Sequence, residues 1–495
     1  MAGNEQATGV GQLPNPQADE SRAAATLTRL AWALWVASLG VLAAHVWTGE
    51  TWSVAGALRV DGLTVVMWTA VTFFSGVVHS YSRRYMAGSR TIDRFFSRVF
   101  GFTLAVMVLV AADSLALFAA AWLLMGLAMA DLVGTAEEWP QAQAAASVAR
   151  RYFLAGSALV ALALAALWWQ TGATTVSGVA ASISAPASLV VLLAAGALLL
   201  AAMVQSALLP FHRWLLSSMT APTPASALMH AGFVNAGGVL LVRFAPVVTV
   251  DAAFMLAVVL VGAASALGGK LLKTVQTDVK STLGCSTVGQ MGFMIMQAGL
   301  GFFGAAITHL VLHGFYKAYR FLASGSQVAR EVPSKSKRTG GMSAADAVVV
   351  AATGLAAGGL FAVLTGEGLH GETGLLLAGL VALTALHAAR EFVAHASLPT
   401  PLRYGAVPLA TLVAVAIYAA AYGAISGLLA GLPAVGDPAE LTAVHGVVAA
   451  AFLAAYVAVE TGAYRRSERL YVALLNASRP ASETLLTSTE EYNEY

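Results

Sequence analysis

About 14 apolar runs of roughly 16–25 residues punctuate the chain, and this decides what it folds into. They fall near 28–47, 62–80, 97–112, 114–134, 151–170, 187–208, 222–246, 252–270, 281–300, 302–323, 342–364, 372–389, 404–430 and 440–463. A helix needs about 20 apolar residues to cross the hydrocarbon core of a bilayer. In lipid, each backbone polar group must be bonded within the protein, which selects helices for runs of this length. Only 11% of the 495 residues are charged, against about 25% in a soluble domain. The expected fold is all-α: a polytopic integral membrane protein with about 14 transmembrane helices.

Basic residues orient the threading. Arg83, Arg84, Arg90 and Arg94 follow the second run, and Arg150 and Arg151 close the loop after the fourth. The later even-numbered loops hold Arg213, then Lys273 and Lys280, then Arg330, Lys335, Lys337 and Arg338, then Arg390 and Arg403. Arg465, Arg466 and Arg469 follow the last run, whereas the odd-numbered loops hold little beyond Arg59 and Arg243. By the positive-inside rule, this alternation places both termini in the cytoplasm. The chain then divides into a polar tail (1–27), a core (28–325), a basic loop (326–341), a C-terminal group of helices (342–464) and a tail (465–495). A net charge of +2 gives no reason to expect nucleic acid. The single cysteine, Cys285, excludes a disulfide framework and reads as a small buried filler.

Within the tenth run, His309, His313 and Lys317 follow one another at intervals of four. On a helix they share one face, about 6 Å apart along the axis. From Phe302 they lie roughly 10, 16 and 22 Å into the span, from its outer half towards the cytoplasm. A charge at the bilayer centre costs about 2.5–3.5 kcal/mol on insertion scales, so such groups usually line an ion pathway. A desolvated lysine gives up its proton more readily, and imidazole titrates near neutrality. The plainer alternative is a set of packing residues with a snorkelling lysine, but three groups in register favour a relay. His230, in the seventh run, is either a packing residue or part of the pathway. Asp278 and Lys280 read as capping or paired groups at the cytoplasmic mouth. Asp131 is either a proton site or an interfacial carboxylate. Arg390 and Glu391, near His387 and His395, read as a surface salt bridge and as a secondary gate candidate. His212 is expected at the interface. Pro210, Pro222 and Pro224 can interrupt helices, which a membrane tolerates only inside protein or beside water. Gly284, Ser286, Thr287, Gly289, Gln290 and Gly292 suit close helix packing or a broken helix beside a cavity. No Walker loop, dinucleotide fingerprint, HExxH or haem motif is present, so neither a metal site nor a cofactor is expected.

Leu209-Pro210-Phe211-His212-Arg213-Trp214-Leu215, then Pro222-Thr223-Pro224-Ala225-Ser226-Ala227-Leu228-Met229-His230-Ala231, resembles the signature of the antiporter-like subunits of respiratory complex I (subunit L and relatives) and of Mrp cation/proton antiporters. Gln276-Thr277-Asp278-Val279-Lys280 and Ser286-Thr287-Val288-Gly289-Gln290-Met291-Gly292 continue it, over roughly residues 60–330. Asp61-Gly62-Leu63-Thr64 and Trp122 match more weakly. The resemblance implies an inverted-repeat, ion-translocating core with discontinuous helices. It also implies that His309, His313 and Lys317 lie on a discontinuous channel helix.

This sequence departs from that pattern twice. Leu123 stands where the family places a Glu after the Trp, and Gln205 stands where it places a Lys before the Leu-Pro turn. The later Gly-Phe-Phe-Ser-Lys-like motif is also missing. Met291-Gly292-Phe293, His313-Gly314-Phe315-Tyr316-Lys317-Ala318-Tyr319 and Ser324-Gly325-Ser326 are most similar to the DabB family, the membrane subunits of DAB inorganic-carbon accumulation systems. That resemblance implies a proton- or sodium-conducting subunit of a bacterial inner membrane. It would power a zinc-containing, carbonic-anhydrase-like DabA partner on the cytoplasmic side that converts CO2 to bicarbonate. The zinc would belong to the partner, since this chain shows no Cys/His zinc set. A pumping subunit of a complex I or Mrp assembly, or a non-conducting membrane anchor, stay open beside it.

Overall fold

The computed structural model describes residues 21–327, 343–368, 373–393, 399–436 and 438–485. Each apolar run forms a helix: α1 (Arg22–Thr48), α2 (Gly62–Tyr85), α3 (Ile92–Ala111), α4 (Leu115–Val133), α5 (Pro140–Thr171), α6 (Leu189–Gln205), α7 (Thr223–Arg243), α8 (Ala252–Lys273), α9 (Val279–Gly299), α10 (Phe303–Leu322), α11 (Ala344–Thr365), α12 (Gly374–Val393), α13 (Leu402–Leu429) and α14 (Ala443–Glu460). Ten are long and apolar enough to cross a membrane on that basis alone, α6 and α14 are shorter apolar helices, and the more polar α9 and α10 complete the set. The fold is all-α apart from one short hairpin, β1 (Trp52–Val54) with β2 (Leu58–Val60), among the described residues.

Short polar side chains start many of these helices. Ser21, Asp61, Ser114, Ser188, Asp251 and Asp278 each accept a backbone N–H from the first turn, which satisfies donors that apolar surroundings would leave bare. The Ser21 cap lets α1 begin at Arg22, earlier than the polar composition before residue 28 suggests, because Ala23 to Ala25 favour helix. Residues 1–20, the basic loop 328–342, His395 and the end of the C-terminal tail lie outside the described residues. Part of the tail is ordered: α15 (Glu468–Ala477) docks on the proline turn.

The centre of the fold is α7, with 94% of its most apolar window buried. It is interrupted. Thr223–Ala231 ends at Gly232, a short 3-10 turn covers Phe233–Asn235, and the helix resumes over Ala236–Arg243. A break frees main-chain carbonyls, and neighbours must take them up. Gln205 Nε2 donates to the Phe233 carbonyl (3.3 Å), Ser206 Oγ to that of Val234 (2.7 Å) and Asn235 Nδ2 to that of Ala231 (2.8 Å). The expected discontinuous helix is therefore this one. The helix bearing His309, His313 and Lys317 runs unbroken from Phe303 to Leu322, since no Gly-Pro or Pro interrupts it.

The glycines of α9 serve packing. A Cβ on Gly269 of α8 would lie 2.2 Å from the Gly289 nitrogen, and one on Gly292 would lie 2.4 Å from that of Ala266. The two backbones therefore cross in direct contact, as small residues allow.

Candidate functional site

The first half of α7, α9 and α10 converge on the His/His/Lys file. Helical period places His313 and Lys317 on the buried face of α10, while Phe315 and Tyr319 on the opposite face are exposed. Gly314 allows the approach: a Cβ there would lie 2.9 Å from the Ala231 carbonyl oxygen and 2.6 Å from Phe74.

His309 is half-buried and His313 is buried, with their rings near-parallel at 5.9 Å between centroids. Neither ring nitrogen of His313 has a protein partner, nor does Nε2 of His309. Lys317 is fully buried and donates from Nζ to the Leu283 carbonyl (2.7 Å). None of the described ion pairs includes it. It does not snorkel: an ammonium that reached the interface would be exposed.

His230 joins the file. The Thr287 hydroxyl donates to the same Leu283 carbonyl (2.9 Å), so its oxygen accepts from His230 Nδ1–H (2.9 Å). That leaves His230 Nε2 without a protein partner, and the ring stacks on Phe321 of α10 at 4.4 Å. Thr287 and the Leu283 carbonyl thus link His230 to Lys317. Spacing alone did not single them out, because Thr287 stands among residues that read as packing groups. A second polar centre also escaped the sequence reading. Arg243 of α7 is buried against Asp61, Thr64 (3.1 Å) and the Val110 carbonyl (2.6 Å). An arginine ending an apolar run was its one signal.

Asp278 and Lys280 act at the start of α9 and do not pair with each other among the described ion pairs. Asp278 caps the helix, accepting from the Ser281 N–H (2.8 Å). Lys280 donates to the carbonyls of Met219 (3.1 Å) and Ala221 (3.0 Å), tying α9 to the turn before α7. Asp131 is away from the file, in a half-exposed pair with Arg150 (2.8 Å), as an interfacial carboxylate would be. His212 is buried, with Nε2 donating to the Ala477 carbonyl (2.8 Å), because α15 covers the proline turn.

Arg390 and Glu391 end α12. Glu391 lies 3.6 Å from His387 Nε2, itself 3.1 Å from Lys270 Nζ of α8. Lys270 and His387 edge a cleft of about 950 Å³ between α8, α9 and α10 on one side and α12, α13 and α14 on the other. His309 and Gln297 also line it.

The region around Leu123 and Gln205 differs. Trp122 is buried and stacks on Phe118 (6.2 Å), and Phe153, Trp214 and Phe233 pack edge to face at 4.6–5.8 Å. The void beside Met125 measures about 20 Å³ and has apolar walls, which leaves an ordered water no partners.

The transmembrane family described as NADH:quinone oxidoreductase/Mrp antiporter matches residues 112–393, and the N-terminal family of complex I chain 5 matches residues 47–96. The chain is 38% identical over 302 residues to the "Probable inorganic carbon transporter subunit DabB1" of Halothiobacillus neapolitanus, covering 59% of this chain and 53% of that protein. It is 39% identical over 320 residues to NADH-quinone oxidoreductase subunit L of Mycobacterium tuberculosis, covering 62% and 50%. The chain thus spans about half the length of the curated relatives it matches. A chain of the Mrp complex from Dietzia sp. DQ12-45-1b superposes with a TM-score of 0.55 over 92% of this chain and 52% of that one, at 22% identity, a likeness of fold.

Proposed function

The chain belongs to the NADH:quinone oxidoreductase/Mrp antiporter transmembrane family, and from that premise we propose that it is a proton- (or sodium-) conducting subunit that drives inorganic-carbon uptake. It is a DabB-like, antiporter-type, multi-pass membrane protein. The observation that carries the proposal is the file itself: two imidazoles and an ammonium in register, with His313 and Lys317 buried and, among the described ion pairs, no carboxylate on the lysine. Buried ionisable groups at membrane depth are expensive and mark ion pathways.

In this reading His309, His313 and Lys317 pass the ion along α10. His230 acts beside them through Thr287, while Asp278 and Lys280 hold the end of α9 in place. Ion flow would power a carbonic-anhydrase-like partner, which carries its own zinc, in converting CO2 to bicarbonate in one direction. Similarity to several inorganic carbon transporter subunits supports this assignment. The basic loops favour a bacterial inner membrane orientation with both termini in the cytoplasm.

The test is Lys317→Ala. Carbon uptake at ambient CO2 is expected to fail while the complex still assembles and inserts, and normal growth in air would sink the relay. Identifying the co-purifying subunit separates this reading from a complex I or Mrp pump, which the likeness to subunit L favours. The apolar packing around Leu123 favours a third reading, a non-conducting anchor. Flux through proteoliposomes that is indifferent to all three file residues would establish it.

A further inference from the structure

The file needs a route to bulk water, and the structure offers unequal candidates. The void between α2, α3, α4 and α7 is small and apolar, and Phe153 of α5 packs edge to face on Phe233 of α7. On the other side of the file, the 950 Å³ cleft reaches His309, which is half-buried and has a ring nitrogen without a protein partner. The cleft is long. Its lining on α9 runs from Ser286 to Gln297, 11 residues or roughly 16 Å, with Lys270, Lys273 and His387 at the basic end.

Its walls carry polar stripes at helical spacing. On α9, Ser286, Gln290 and Gln297 fall at intervals of four and seven and all line the cleft. Facing them are Thr384 and His387 of α12, three apart, and Thr411 and Tyr418 of α13, seven apart. Helices that met only lipid here would gain nothing from such stripes. Most of the lining is Ala, Leu, Val and Phe, and these stripes are where water entering a space of this size would find hydrogen-bond partners.

We propose that this cleft is an aqueous vestibule through which the transported ion passes between His309 and the basic face, with Lys270, Lys273 and His387 at its mouth. The C-terminal helices are then part of the pathway and not merely its scaffold. Glu391 beside His387 supplies groups that exchange protons with bulk water, and Gln297 and Tyr418 line the far end near His309. This inference rests on the relay reading above.

The experiment uses Thr384→Cys and Thr411→Cys, one on each facing wall, in a Cys285→Ser background. The charged, membrane-impermeant thiol reagent MTSES is applied to inside-out vesicles from cells making the full chain. Both cysteines are expected to react from the basic face, and the modification should reduce ion flux to the level of Lys317→Ala. Cysteines that react only after denaturation would overturn the vestibule, because the cleft would then be filled by lipid or a partner helix. Modification that leaves flux intact would overturn its role in transport. If Lys317→Ala stops flux but blocking the cleft does not, this inference falls alone. If Lys317→Ala leaves flux untouched, the relay itself falls.

Discussion

Gln205 and Lys317 occupy matching situations in two halves of the molecule. Each is a long side chain buried among helices, and each donates to a main-chain carbonyl of another segment, Gln205 to Phe233 and Lys317 to Leu283. One is a neutral amide bonded to the main chain of Phe233, whose ring packs edge to face on Phe153 and Trp214. The other is an ammonium beside two histidines and, through His309, next to a large cleft. Satisfying a carbonyl therefore does not require charge: an amide does that where the site is dry. An ammonium kept in the same kind of geometry points to a use beyond packing, because a buried charge costs several kcal/mol more than an amide does.

The sharpest way to break this contrast is to truncate both. Lys317→Ala is expected to remove ion flux altogether, whereas Gln205→Ala should leave flux intact and only weaken the fold. Removing one partner of a buried hydrogen bond costs about 1–3 kcal/mol. Flux assays and thermal melts of the two variants in the same detergent decide it. Equal loss of flux from both would mean that the dry half also conducts.

The second effect in size comes from putting charge where it is missing. Gln205→Lys would bury an ammonium beside the Phe233 main chain, with no counter-ion there among the described ion pairs. The expected loss is about 3–5 kcal/mol, the range for an uncompensated buried charge, read as a lower unfolding midpoint with no gain in flux. A stable Gln205→Lys protein with faster flux would show instead that this half is hydrated.

Thr287→Val tests the link between His230 and Lys317. It removes the acceptor of His230 Nδ1–H while keeping the side-chain shape. Losing that bond costs about 1–3 kcal/mol. Felt fully at the barrier, this slows flux about 5- to 160-fold. His230→Ala should do at least as much. Wild-type flux in Thr287→Val would reduce His230 to a packing residue.

Much of this contrast was legible in the sequence. Apolar runs of spanning length gave the helices, and four-residue spacing put His309, His313 and Lys317 on one face. Leu123 and Gln205 flagged the uncharged half. Other features depend on contacts between residues distant in sequence, which periodicity does not report. The position of the helix break is one: Gly232 breaks α7 because Gln205, Ser206 and Asn235 take up the freed carbonyls. The Thr287–Leu283 link is another, built across α7, α9 and α10. The Asp61–Arg243 pair joins residues 182 apart. The docking of α15 is a fourth, since a short amphipathic stretch past the last span looks like any exposed tail.

That docking marks a further difference, between the proline turn and the rest of the basic face, and predicts the smallest effect. His212 bonds Ala477, the Ala481 N–H bonds Ser217 Oγ (3.0 Å), and Glu483 pairs with Arg151. Burial makes His212 harder to protonate than an ordinary imidazole of pKa 6.5. The undocked tail leaves it in water, so the undocked state binds the proton more readily, and docking weakens as pH falls below about 6.5. The hydrogen bond from Arg151 holds the Glu483 carboxyl below its ordinary 4.5, so its contribution persists until pH falls beneath that value. A spin label at the exposed Val472 should therefore gain mobility in two steps on acidification, the first just below pH 6.5 and the second below 4.5. His212→Gln, which keeps a donor but cannot take up a proton, should abolish only the first. Mobility that stays constant between pH 7 and pH 5 in the wild type would show that His212 is not what couples α15 to the proline turn.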